Sequence, residues 1–411
     1  MILIVPEGTE QAAPVQDIQH YMRPGTLRLP SLPPLSLYVH LPWCLKKCPY
    51  CDFNSHGQDK GELPEARYSA ALLADLDAAL PLVWGRPVHS VFFGGGTPSL
   101  FAPETIDALL GAIRARLPLE PGCEITLEAN PGTFEKARFR AFAQAGVTRL
   151  SVGVQSFNDA QLHALGRVHD RAQALAAVEE AARSFRTFNL DLMYALPGQD
   201  MAQLDDDLDT ALLMSPPHLS VYHLTIEPNT LFAKYPPPLP EDDLAYAMLD
   251  RITERTAQAG LERYEVSAYA NGAGQRCRHN LNYWQFGDYL GLGAGAHSKL
   301  SFAHRVVRQV RWRDPVRYMD QALAGQALTR SDEVARADLP FEFMLNALRL
   351  RHGFGLRDFS ERTGLPLSAI EAGLQEAERK GLIERDLSRV RPTQRGFDFL
   401  SDLQAIFLSN P

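Results

Sequence analysis

An α/β fold built on a parallel sheet is expected from the amino-acid pattern on three grounds. Short apolar stretches of strand length recur six times between residues 35 and 226. Four of the intervals carry apolar residues every three or four positions, the period of a half-buried helix. The intervals are also long enough for right-handed crossovers, which parallel neighbours require. A chain of 411 residues, 45% hydrophobic and 22% charged, buries a full core, which excludes a mini-protein, wholesale disorder and a fibrous repeat.

Taken in order, residues 1–34 are Pro-rich and weakly periodic and read as a lead-in extension with no assigned function. Strands are expected at 35–42 (LSLYVHLP), 88–96 (VHSVFFGGG), 123–131 (CEITLEANP), 149–156 (RLSVGVQS), 188–198 (FNLDLMYALPG) and 218–226 (HLSVYHLTI). Helices are expected at 103–117, 135–146, 171–185 and 201–215. Six such units suit an open doubly wound sheet or a barrel lacking its last two units, and periodicity does not choose between them. PPPLP at 236–240 breaks the pattern. It lies in an accessory α+β segment, 231–335, with a helix at 241–260 and then aromatic and Gly-rich sequence. From 336 to 411 three helices (341–351, 356–363, 367–380) precede GLIERDLSRVRPTQRG and a closing helix, a winged-helix-like order. The domains expected are therefore 1–34, 35–230, 231–335 and 336–411.

The formal net charge of −8 argues against a dedicated nucleic-acid binder. Residues 336–411 hold eleven basic and eleven acidic side chains, so a lid or docking piece is expected there rather than a DNA reader. Residues 271–317 carry a local excess of six positive charges, which fits either an anion-attracting region or a solvated arginine face. No apolar run approaches the roughly 18 residues of a membrane span, and the start has neither a basic region nor an apolar core. The expectation is a cytoplasmic protein with no stable membrane insertion. Five cysteines, an odd and low number, favour metal or redox chemistry over a disulfide scaffold.

Three of those five, Cys44, Cys48 and Cys51, fall within eight residues at the end of the first strand. Three thiolates can hold three corners of a cubane iron–sulfur cluster and leave one iron open. A structural zinc would need a fourth ligand, for which His40 and His56 are candidates. Cys123 and Cys277 read as ordinary thiols. Gly94, Gly95, Gly96 and Thr97 end the second strand, where missing side chains let a ligand approach backbone amides. Glu128 ends the third strand, where a carboxylate can pair with a cationic amine.

The CxxxCxxC spacing, with an aromatic residue before the third cysteine, resembles the radical S-adenosylmethionine (SAM) superfamily. YVHLPWCLKKCPYCDFNSH, FFGGGTPS, LEANPGT, SVGVQSF, LGRVHD and DLMYALPGQ are similar to the oxygen-independent coproporphyrinogen III oxidase group, from about residue 35 to the end. The resemblance implies a partial (β/α)6 barrel as the radical SAM core. It implies a 4Fe–4S cluster on the three cysteines, SAM as ligand of the open iron, and an electron donor. It places Tyr38, Tyr50, Gly95, Gly96, Thr97, Glu128, Gln155, Arg167 and Asp191 around SAM, with Arg167 on its carboxylate and Asp191 on its ribose.

One departure narrows the family. The oxidases carry a fourth cysteine two positions after the third, where this chain has Phe53. This chain also has His279-Asn280-Leu281-Asn282-Tyr283-Trp284, an HNxxYW motif, and the pair of features resembles the haem chaperone branch. That resemblance implies a haem site of His279, Asn280, Tyr283 and Trp284, with His297 a second candidate ligand, and transfer of haem to an acceptor protein. By itself, a histidine among aromatics also reads as a packed core residue. Two other functions remain open: oxidative decarboxylation of coproporphyrinogen III, and a winged-helix regulator sensing iron or SAM.

Overall fold

The computed structural model describes residues 11–14, 17–58, 62–133 and 136–408. Six strands lie side by side in chain order and all parallel: β1 (Leu35–Leu41), β2 (Val88–Gly95), β3 (Leu119–Ala129), β4 (Arg149–Gln155), β5 (Thr187–Tyr194) and β6 (His218–His223). The crossovers carry helices α1 (Glu65–Val83), α2 (Pro103–Arg116), α3 (Lys136–Ala145), α4 (Arg171–Ser184) and α5 (Met201–Leu213). Alternation explains the layers. Val91, Phe93, Ile125, Leu127, Leu150, Val152, Leu190 and Leu192 are buried in one large apolar core, whereas the residues between them, among them Ser90, Thr126, Ser151 and Asn189, turn polar groups the other way. Helices α4 and α5 start on capping boxes set by Asp170 and Asp200. Glu135, where the sequence begins the third helix, lies outside the described residues, as do 1–10, 15 and 16 of the extension.

The segment 231–335 adds six further strands to the same sheet. Helix α6 (Asp242–Gln258) leads to β7 (Glu262–Arg263) and β8 (Ala268–Ala270), antiparallel beyond β6. Helix α7 (Arg278–Trp284) follows, and then β9 (Asp288–Leu292), which pairs parallel with β1 on its other side. Strands β10 (His297–Phe302), β11 (Arg305–Arg311) and β12 (Leu328–Glu333) extend that edge antiparallel, giving twelve strands.

The C-terminal region has its own apolar core around Phe343, Phe359, Leu374 and Val390, with a three-stranded sheet of Phe354–Gly355, Arg389–Pro392 and Ile383–Arg385. The lead-in extension joins that core: Leu27 and Leu29 are buried in it, and Arg28 N–H donates to Gly364 O.

Candidate functional site

The cysteine loop leaves β1 at Leu41 and is held at both ends by backbone pairing. Trp43–Cys44 lies parallel to His56–Gly57. Gly96 N–H donates to Leu41 O (2.9 Å) and Thr97 N–H to Trp43 O (2.7 Å). A Cβ at Gly96 would stand 2.5 Å from Trp43 O, and one at Gly95, where φ is +120°, would enter the His40 ring. The glycines are thus needed for chain to pass against chain. Gly95 N–H donates to Glu128 Oε2 (3.1 Å), so the amides of Gly95, Gly96 and Thr97 are occupied within the protein. They do not offer the open row of donors that the glycine run suggested.

All five cysteines are unbridged. Thr97 Oγ1 donates to Cys44 Sγ and Arg167 Nη1 to Cys48 Sγ, each over 3.6 Å, and Cys51 Sγ lies 3.6 Å from Ser55 Oγ. Burial pushes the Cys44 thiol up to about 11 and raises Cys51 as well. Burial likewise takes Cys123 and Cys277, away from this loop, up to about 12, which suits inert interior thiols. Among the described residues no three Cys, His, Asp or Glu side chains converge on a single-ion site.

Arg167 ties the loop to the barrel. Its Nη2 donates to Gly153 O (2.7 Å) and to Asn130 Oδ1, and Asn130 Nδ2 donates to Thr97 Oγ1 (2.8 Å). A Cβ on Gly166 would meet Pro49 at 2.8 Å, which explains a glycine beside that arginine. Arg167 Nε is buried without a partner among the described residues. Asn130, inside the LEANPGT motif, is a member of this network that the sequence reading did not single out.

The strands also bring the acidic residues together. Burial, with Asp191 adding repulsion, pushes Glu128 up to about 8. Burial raises Asp191 too, although Ser151 Oγ (2.9 Å) and Asn189 Nδ2 (2.8 Å) donate to it. Tyr38 OH lies 2.9 Å from His40 Nδ1, and its ring neighbours Phe92 and His279. Gln155 ends β4 at a register shift with φ +69°, and Tyr50 packs on Phe232. Cys44, Cys48, Thr97, Gly95, Glu128, Arg167 and Asp191 therefore share connected contacts at the carboxy-terminal ends of the parallel strands.

The HNxxYW residues occupy α7, whose amino-terminal end is anchored at the opposite, amino-terminal end of the strands. Arg149 Nη2 donates to Gln275 O, and Arg278 N–H donates to Glu124 Oε1. His279 is only 2% exposed. Its Nδ1 lies 3.3 Å from Ser90 Oγ and its Nε2 3.2 Å from Tyr283 OH, while Phe92 stacks on the ring. Burial drives its pKa down to about 3, so the ring is neutral and packed, as the plainer reading of a histidine among aromatics expects. Asn280 is half-buried. The Arg349 guanidinium covers the Trp284 ring at 4.1 Å, leaving Trp284 Nε1 buried and unpaired among the described residues. His297 instead starts β10 and is exposed. Partial desolvation and the neighbouring Arg308, Arg311, Arg330 and Arg313 charges lower it to about 4.

The basic stretch is not one surface. Lys299 bonds Asp288 (3.0 Å), Arg311 pairs with Asp75, Arg308 with Glu342 (2.7 Å), and Arg276 with Glu262 (3.0 Å). Arg305 donates to His20 O and Arg23 O, and Arg317 covers Trp312. Asp75, Glu262 and Glu342 lie outside residues 271–317, so a count of charges within that stretch does not see them.

Comparison with known proteins agrees with this geometry. Residues 38–211 match the radical SAM superfamily, and residues 334–399 match the HemN C-terminal domain. "Heme chaperone HemW" of Haemophilus influenzae is 46% identical over 387 residues, 93% of this chain and 100% of the relative. The protein of the same name from Escherichia coli is 46% identical over 92% of this chain and 99% of its own. A bovine protein named "Radical S-adenosyl methionine domain-containing protein 1, mitochondrial" is 34% identical, covering 91% and 87%. The solved structure of the E. coli coproporphyrinogen III oxidase HemN superposes with a TM-score of 0.78 at 23% identity, over 92% of this chain and 90% of that one, which identifies the fold as the partial barrel. On this evidence the chain belongs to the radical SAM superfamily and, within it, to the HemW family of HemN-like proteins.

Proposed function

We propose that this protein is a haem chaperone: it binds haem, an iron–sulfur cluster and SAM, and hands the haem to an acceptor protein. The observation that carries this reading is 46% identity, over the whole length of the relative, to a protein named heme chaperone. Coproporphyrinogen III oxidation has a likeness in fold behind it, and Phe53 stands where the resemblance to those oxidases calls for a further cysteine.

The residues present fit the cluster and SAM. Three unbridged thiols share one loop, and a cluster of this kind takes one thiolate on each of three irons. Arg167 Nε is a buried donor lacking an acceptor among the described residues. Cys44, Cys48 and Cys51 would hold a 4Fe–4S cluster. When bound, the cluster supplies one electron at a time and an open iron for SAM, and an electron donor has to recharge it. Arg167 would orient the SAM carboxylate, and Glu128 and Asp191 the amine and ribose. Tyr38, Tyr50 and Gln155 would border the same ligand, while Gly95, Gly96 and Thr97 keep the loop against the barrel.

The haem site would draw on His279, Asn280, Tyr283, Trp284 and His297. His279 and Trp284 can reach a macrocycle only if α7 turns away from Ser90 and Arg349, whereas His297 already meets solvent. Haem titration and a coproporphyrinogen III assay on one anaerobic, cluster-loaded preparation test the reading. Stoichiometric haem binding without conversion is expected. It should weaken in His279→Ala, which would lose a nitrogen able to bind the iron, and in Trp284→Ala, which would lose apolar contact at roughly 25 cal/mol per Å². Product formation with no haem affinity would overturn the chaperone reading in favour of the oxidase.

A further inference from the structure

A chain of hydrogen bonds runs from Asp191 to the start of α7, and its direction follows from the chemistry of its members. Asn189 Nδ2 faces two acceptors, Asp191 Oδ1 and Ser151 Oγ, both at 2.8 Å, so its Oδ1 faces the other way. That oxygen lies 2.6 Å from His218 Nδ1 and also accepts from Ser220 Oγ. The Nδ1 position must therefore carry the proton, which leaves Nε2 an acceptor for Tyr264 OH at 2.9 Å. With its proton committed there, the Tyr264 oxygen accepts Cys277 N–H (3.4 Å), immediately before α7. Burial keeps His218 from taking a second proton. Asn189, His218 and Ser220 are buried, as is Tyr264, so water offers no easy alternative partners.

We propose that Asn189, His218 and Tyr264 are positioning residues that transmit the state of the Asp191 carboxylate to α7, the helix bearing the HNxxYW motif. Each donor points toward Asp191, the one group in the row that only accepts when ionised. If Asp191 loses its charge, the anchor of the tautomer is lost, and with it the reason for Tyr264 to present its oxygen to Cys277. That Asp191 meets SAM rests on the function proposed above; the hydrogen-bond row does not.

Amide exchange across residues 277–284, read by mass spectrometry on the full chain, tests the coupling without any ligand. Asp191→Asn should speed exchange there at least threefold when Tyr264 is present and add nothing further in Tyr264→Phe. Coupled residues give such non-additive cycles, whereas independent structural damage adds. No effect of Asp191→Asn on this segment, or the same effect in both backgrounds, would overturn the proposal. Should Tyr264→Phe fail to fold, His218→Phe interrupts the row one member earlier and completes the same cycle. SAM added to cluster-loaded protein should alter exchange in this segment only when Tyr264 is present. A cycle that holds with no response to SAM keeps the relay and removes Asp191 from the SAM site.

Discussion

Glu128 shows how position changes the chemistry of a single side chain. On a surface it would be ionised at neutral pH, but burial together with Asp191 takes it to about 8. The native protein then holds a proton that the unfolded chain gives up above its ordinary value of 4.5. Stability from this group is present below 4.5 and is lost as pH rises toward 8, so Glu128→Gln should lose less stability than the native chain between pH 5 and 8 in urea titrations. A cationic amine beside the carboxylate would reverse the preference. Glu128→Ala is accordingly expected to weaken SAM by about ten- to a hundredfold, the worth of one charge-assisted hydrogen bond, and an unchanged dissociation constant would remove it from the site. For the thiols the expectation concerns occupancy. Iron and sulfide content after anaerobic reconstitution should vanish in a triple Cys44/Cys48/Cys51→Ala chain and persist in Cys123→Ala and Cys277→Ala.

At the scale of elements, the loop between β1 and α1 depends on what β2 lacks. Gly96 lets the Trp43 carbonyl approach its backbone, and a methyl there must push the cysteine segment away. Gly96→Ala should cost about 1–3 kcal/mol, the usual range for overpacking, measured by thermal or urea unfolding. It should also lower cluster content although no ligand has been touched; normal stability and normal iron would contradict this role. Most barrel elements were legible in sequence because period-two and near-3.6 patterns are local. Strand β5 begins at Thr187 and α2 at Pro103, each within a residue of the pattern. Strand β9 was not legible, since Asp288–Leu292 is short, interrupted by Gly291 and read only as part of an aromatic, Gly-rich segment.

Over the whole molecule, segments far apart in sequence complete each other. Leu27 and Leu29 of the lead-in enter the core that residues 339–407 share with Phe286 and Val306, and Arg305 of β11 holds the carbonyls of His20 and Arg23. Leu27→Ala is expected to destabilise the protein by about 2–5 kcal/mol, as for a buried leucine elsewhere, and to do so through the C-terminal region. Limited proteolysis should find new cuts beyond residue 336 in that variant, and an unaltered pattern would show the extension to be dispensable. No helix among the described residues is long and apolar enough to cross a membrane.

The chain alone carries the order of the parallel units, the triple-cysteine loop and the family resemblance, because each is written in neighbouring residues or fixed spacings. It also held the HNxxYW motif, but not where that motif faces. Long-range packing set the rest: His279 lies on Phe92 inside the sheet while His297 meets solvent, and Arg311, Arg276 and Arg308 pair with Asp75, Glu262 and Glu342 while Lys299 pairs with Asp288. The reason is physical: burial and ion pairing depend on which distant segments a strand meets, and pairing across a sheet carries no signature in the spacing of either partner.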